Sequence, residues 1–182
     1  LIYSVTLEYK TYQAQVFLTF VPQNQVFGPP AVPITQANIE NPYYYIYSYQ
    51  WFVDTTVNPA LVAAYNALKT LVIAGGDVLP SNYPPFLVWD PTSTSAILNA
   101  DSQGYDFITL NDPIKIYFNT PMFNLFSSFS ATYYGFGSDV TGGRNFLLNV
   151  YDNGFNTFKN IATGISYVQV LQEYPTAPLW NP

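Results

Sequence analysis

Leu1-Ile2-Tyr3-Ser4-Val5-Thr6-Leu7-Glu8-Tyr9-Lys10 alternates without a break: Leu1, Tyr3, Val5, Leu7 and Tyr9 fall on one side, and Ile2, Ser4, Thr6, Glu8 and Lys10 on the other. Successive side chains of an extended chain point to opposite faces, so this period predicts a strand half-buried on one side. The next segment, Ala14 to Val21, sets Val16, Leu18 and Phe20 opposite Phe17, Thr19 and Val21. Being apolar on both faces, it predicts a strand covered on both sides and therefore placed centrally in a sheet.

Outward from this pair, the chain is divided by turn chemistry. Phe27-Gly28-Pro29-Pro30 through Pro33 removes backbone donors and admits unusual dihedrals, which predicts a long surface loop. Phe86 to Trp89, Ala96 to Asn99, Ile114 to Phe118, Phe146 to Tyr151 and Ile165 to Leu171 are each of strand length and bounded by turn residues. Ser138 to Arg144, with Gly142-Gly143, and Asn153-Gly154 suit hairpin connections. One main helix is predicted at about residues 58–74. Asn58 suits its cap and Pro59 its first turn, Leu61, Val62, Tyr65, Leu68 and Val72 recur at helical spacing, and Gly75-Gly76 ends it. A short helix at about 121–128 would be capped by Thr120 and carry Met122, Phe123, Leu125 and Phe126. The sum is an all-β fold, a jelly-roll-like antiparallel β-sandwich with these two helices and long proline-rich loops. Residues 1–182 read as a single β-sandwich domain, an ordered fragment of a longer chain.

Composition narrows the function. The chain is 49% hydrophobic and 19% aromatic but only 9% charged, against about 25% in an average domain. Amide and hydroxyl groups must therefore keep its surface wet, and such a surface tolerates burial against another copy. The five basic residues, Lys10, Lys69, Lys115, Arg144 and Lys159, are scattered through a chain of net charge −6. Counterion release from nucleic acid needs clustered cations, so this segment is not expected to bind nucleic acid directly. No run approaches the roughly 18 consecutive apolar residues of a membrane span, and no membrane partner is expected.

With no histidine and no cysteine, a Ser-His-Asp triad, a Cys-His pair and the usual zinc sets are excluded. Asp77, Asp90, Asp112 and Asp152 stand beside Gly, Pro or Asn-Gly, and Asp139 precedes a Gly loop, where turn chemistry explains them. Glu8, Glu40 and Glu173 have no turn role, yet nothing makes any pair converge as a glycosidase requires. Asp101 to Asp106 lacks the acidic density and terminal Glu of a calcium loop. Gly75-Gly76 follows a helix instead of opening one, so no phosphate loop is present. No catalytic residue, metal ligand or cofactor is expected, and the chain reads as a non-enzyme.

The feature that demands an explanation is Tyr43-Tyr44-Tyr45-Ile46-Tyr47-Ser48-Tyr49-Gln50-Trp51-Phe52. As a strand it sets Tyr43, Tyr45, Tyr47, Tyr49 and Trp51 along one face. These five could form a core rim with hydroxyls paired inside, a subunit interface, or a platform on which sugar rings stack. The opposite face, with Ile46 and Phe52, carries aliphatic bulk suited to the core. The aromatic face is therefore assigned to a neighbouring subunit, with a carbohydrate- or receptor-binding module as the alternative.

Pro113-Ile114-Lys115-Ile116-Tyr117-Phe118-Asn119, and the arm-like Gln172 to Pro182, join scarce charge, many Tyr, Asn and Pro and long loops in a chain that resembles jelly-roll capsid proteins of icosahedral viruses. That resemblance implies a virion shell subunit partnered by copies of itself or by other capsid subunits, the genome being met by a basic segment. A basic arm is not seen here, and the helix after Asn58 is a further departure. Both leave open a minor-capsid or penton-like role, or one half of a larger double-barrel subunit.

Overall fold

The structure is a computed structural model that describes residues 3–24, 26, 28, 42–92, 95–106 and 110–127, with the strand segments 131–132, 150–152, 165–166 and 170–171. β1 (Ser4–Tyr9) and β2 (Tyr12–Phe17) form a hairpin in which Tyr9 pairs Tyr12. Its tight turn puts Lys10 in the left-handed region at φ 53°, a conformation that costs an L-residue some strain. β3 (Phe86–Asp90) and β4 (Ser95–Asn99) form a second antiparallel pair, followed by β5 (Lys115–Phe118), β6 (Ala131–Thr132), β7 (Val150–Asp152), β8 (Ile165–Ser166) and β9 (Val170–Leu171). Two sheets result, ordered β2-β1-β5-β7-β8 and β3-β4-β9-β6. The expected strand over Ile165 to Leu171 is instead two short strands, β8 and β9, in different sheets.

β1 lies between β2 and β5, and all six of its residues are buried. The expected wet face is thus covered, and its polar groups are paired within the protein: Gln15 donates to Ser4 Oγ at 3.1 Å, and Gln13, Lys115 and Tyr117 all donate to Glu8. The central position assigned to Ala14–Val21 is likewise corrected. β2 is the outer strand of its sheet and Phe17 is exposed, while Ala14 packs in the core and Val16 lies against it beside the main helix.

The all-β expectation is corrected by that helix. α1 runs Tyr49–Ala74, starting nine residues before the expected cap at Asn58. Its body, Asn58–Ala74, buries Leu61, Ala64, Tyr65, Leu68 and Val72 as the spacing predicts, packing on β1, β2 and β3. Each fully buried leucine contributes about 1.5–3 kcal/mol. By length and hydropathy α1 could cross a membrane, but this face is committed to the sheets. Upstream of Pro59 the helix widens into a π-turn, Val53–Val57, in which the Asn58 N–H donates to the Val53 carbonyl. Proline has no N–H to offer the carbonyl four residues back and crowds it, which accounts for the wider turn. The far end closes as a Schellman motif: Gly76, at φ 81°, donates to Ile73 O and Asp77 to Val72 O, both at 3.0 Å.

α2 (Ser102–Tyr105) is capped by Asp101, whose carboxylate accepts from Gln103 N at 3.0 Å and from Ser81 Oγ at 2.7 Å. The capping role accounts for this aspartate without a calcium ion. α3 (Thr120–Ser127) is capped by Asn119 and not by Thr120, since Asn119 Oδ1 accepts from Met122 N at 3.3 Å. The same oxygen accepts from Ser4 N at 3.1 Å, tying α3 to β1. The β5–β7 pair is parallel, an exception among the otherwise antiparallel ladders of the described residues. The hairpin signals at Ser138–Arg144 and Asn153-Gly154, the arm Gln172–Pro182, and Glu40 and Glu173 lie outside the described residues.

Candidate subunit interface

The aromatic run is not a strand. Pro42–Tyr44 is one turn of 3-10 helix, closed by Tyr45 N donating to Pro42 O at 3.1 Å, and Tyr49–Phe52 is already the first turn of α1. Ser48 makes the change of direction: it is extended (φ −139°, ψ 125°), and its hydroxyl accepts from Trp51 N at 3.3 Å. Between the two turns, Gln23 holds the chain, its Oε1 accepting from Tyr47 N at 2.7 Å and Ser48 N at 3.1 Å.

The side chains therefore spread in several directions. Ile46 and Phe52 are buried, as expected of the core-facing pair. Tyr43 meets Phe20 edge to face at 5.6 Å and Tyr44 at 5.1 Å. Tyr45 meets Tyr47 at 6.1 Å. Tyr49 stacks on Trp89 of β3, and the Trp51 indole donates to Val21 O at 3.2 Å. Tyr43, Tyr45, Tyr49 and Trp51 are half-buried in these contacts, while Tyr47 is 59% exposed. Ring contacts, and for Trp51 the indole hydrogen bond, make the four part of the protein's own framework; Tyr47 stands out from it, supported by Tyr45.

Two features went unread in the sequence. Trp89 reads as a strand residue alone, because its partner Tyr49 lies 40 positions away and no local spacing signals the pair. Gln23 sits in a polar connection where its amide looks like solvation. Elsewhere, the ionisable groups serve as ties. Asp77 accepts from Lys10 at 2.7 Å and Tyr12 at 3.2 Å, and the Lys10 ammonium holds its carboxyl below the usual range. Burial pushes the Tyr105 phenol well above its usual value. Among the described residues no group of three Asp or Glu could hold a metal ion.

Comparison with known proteins finds similarity to structural proteins of Sputnik virophage. The sequence model of the Sputnik minor capsid protein V18/19 matches residues 1–182. Structural protein V19 of Sputnik virophage is 35% identical over 97 residues, which are 51% of this chain and 43% of that protein. A chain of the Sputnik virophage structure solved by cryo-EM superposes with a TM-score of 0.56 at 30% identity, covering 98% of this chain and 49% of that one. The chain thus spans less than half the length of either relative.

Proposed function

The chain belongs to the Sputnik minor capsid protein V18/19 family and is a viral structural protein of the virion shell, and from that premise we propose that it works through contacts with neighbouring capsid subunits made by its aromatic cluster. The observation that carries this reading is Tyr47, a 59% exposed tyrosine held on a braced backbone. Tyrosine supplies wide contact area with little side-chain entropy to lose, and a pre-set backbone reduces what ordering costs on association. Tyr45 supports that contact directly, and Tyr43, Tyr49 and Trp51, packed on Phe20, Trp89 and Val21, keep the segment that carries it rigid.

The finer architecture follows the same reading. Residues 1–182 are one domain, a jelly-roll-like two-sheet body elaborated by α1, and the paired antiparallel strands support it. The domain acts by contact and not by chemistry: Glu8 is engaged by three donors in an ordinary structural role. The scattered basic residues favour contact with protein over nucleic acid, and the buried face of α1 favours it over membrane. Light scattering of the purified chain tests the proposal. Concentration-dependent assembly supports it; a strict monomer that is retarded on a polysaccharide column transfers the cluster to carbohydrate binding.

A further inference from the structure

Among the described residues β3 is the outermost strand of its sheet, hydrogen-bonded to β4. Alternate residues of such a strand turn N–H and C=O outward, where another extended chain can add. Here both outward groups of Leu87 are taken by a single side chain. Asn58 Oδ1 accepts from Leu87 N at 2.7 Å, and Asn58 Nδ2 donates to Leu87 O at 2.8 Å. A carboxamide carries the same donor and acceptor as a peptide unit, so Asn58 makes the two bonds that a residue of an added strand would make. Its backbone sits where the π-turn passes into the body of α1, which fixes the amide in place.

The strand it covers is otherwise well suited to pairing. Phe86-Leu87-Val88-Trp89 is aromatic and aliphatic without a charge, and Phe86 and Val88 are 44% and 38% exposed. Exposed edges of this kind are commonly blunted by lysine, proline or a bulge. β3 has Pro84-Pro85 before it and Asp90 at its end, but nothing of the sort between. We propose that Asn58 is an edge guard: by filling the outward hydrogen-bonding position of β3 at Leu87, it stops a strand from a second copy of the chain pairing there. Contact between copies is thereby confined to other surfaces. This holds whatever those other surfaces are, because it rests on bonds inside one chain.

Asn58→Leu removes the amide and nearly preserves its shape, and the readout is hydrogen exchange of the Leu87 amide at low and high protein concentration. In the parent this amide is protected at both. In the variant it should exchange freely when dilute and about tenfold more slowly when concentrated, with a rise in mass by light scattering. Adding Val88→Lys, a charge on the edge, should abolish the concentration dependence without restoring thermal stability lost with Asn58. A variant amide that exchanges equally fast at all concentrations would overturn the proposal and leave Asn58 as a tether between helix and sheet. Asn58→Ser, too short to reach both groups, serves the same test if the leucine variant does not fold.

Discussion

The ring of Tyr49, in the first turn of α1, stacks on the indole of Trp89 in β3 with centroids 4.3 Å apart and planes 23° from parallel. This contact fastens the start of the helix to the second sheet. Tyr49→Ser removes the stack and part of the buried area, and should lower stability by about 2 kcal/mol in urea unfolding. Tyr47→Ser, at an exposed site, should change it by less than about 0.5 kcal/mol. Equal effects would mean that the two tyrosines are not divided between framework and surface as described.

Asn119 is wholly buried and does two tasks with one oxygen, capping α3 through Met122 N and accepting from Ser4 N. Asn119→Ala leaves a helix without its cap and a buried strand N–H without its acceptor. The expected loss is about 2–4 kcal/mol, measured as a shift in the urea midpoint at unchanged slope.

Thr56 lies in the π-turn with its hydroxyl buried and no hydrogen-bond partner. Valine has the same shape without the polar atom. Thr56→Val should therefore raise stability by about 1 kcal/mol, which a calorimetric melt would register; a loss would show that the hydroxyl is satisfied in solution.

How far the sequence could be read depends on where the deciding contacts lie. The strand in Leu1–Lys10 and the body of α1 were legible because each carries its own period. The start of α1 was not, since Asn58-Pro59 has the form of a helix beginning and only the π-turn lets the helix pass through it. Ile165–Leu171 has the length of one strand, and its division between sheets is set by partners as distant as β4 and β7. Tyr43–Phe52 is aromatic at nearly every position, so periods of two and of 3.6 fit it equally. What decides its path is Pro42, the Ser48 cap and the Gln23 amide, the last from more than 20 residues away.

Acid should act through Asp77. Its hydrogen bond from Lys10 lowers its folded pKa below the ordinary 3.8, so the stability it contributes is present above that value and lost as pH falls through the lowered one. Melting temperature measured downward from pH 5 should fall less steeply in Asp77→Asn than in the parent. Alkali should act through Tyr105, whose burial raises its pKa well above 10.0. That contribution is complete below 10.0 and is lost as pH rises through the raised value, so Tyr105→Phe should flatten the alkaline limb.

Sedimentation of Tyr47→Ser beside the parent over a range of concentrations tests whether the exposed tyrosine of the cluster contacts a neighbouring capsid subunit, as proposed. Truncating a central anchor weakens association by about 2 kcal/mol, roughly thirtyfold. That loss is expected in the association constant, with the melting temperature unchanged. Association as tight as the parent's, with the variant fully folded, would contradict it.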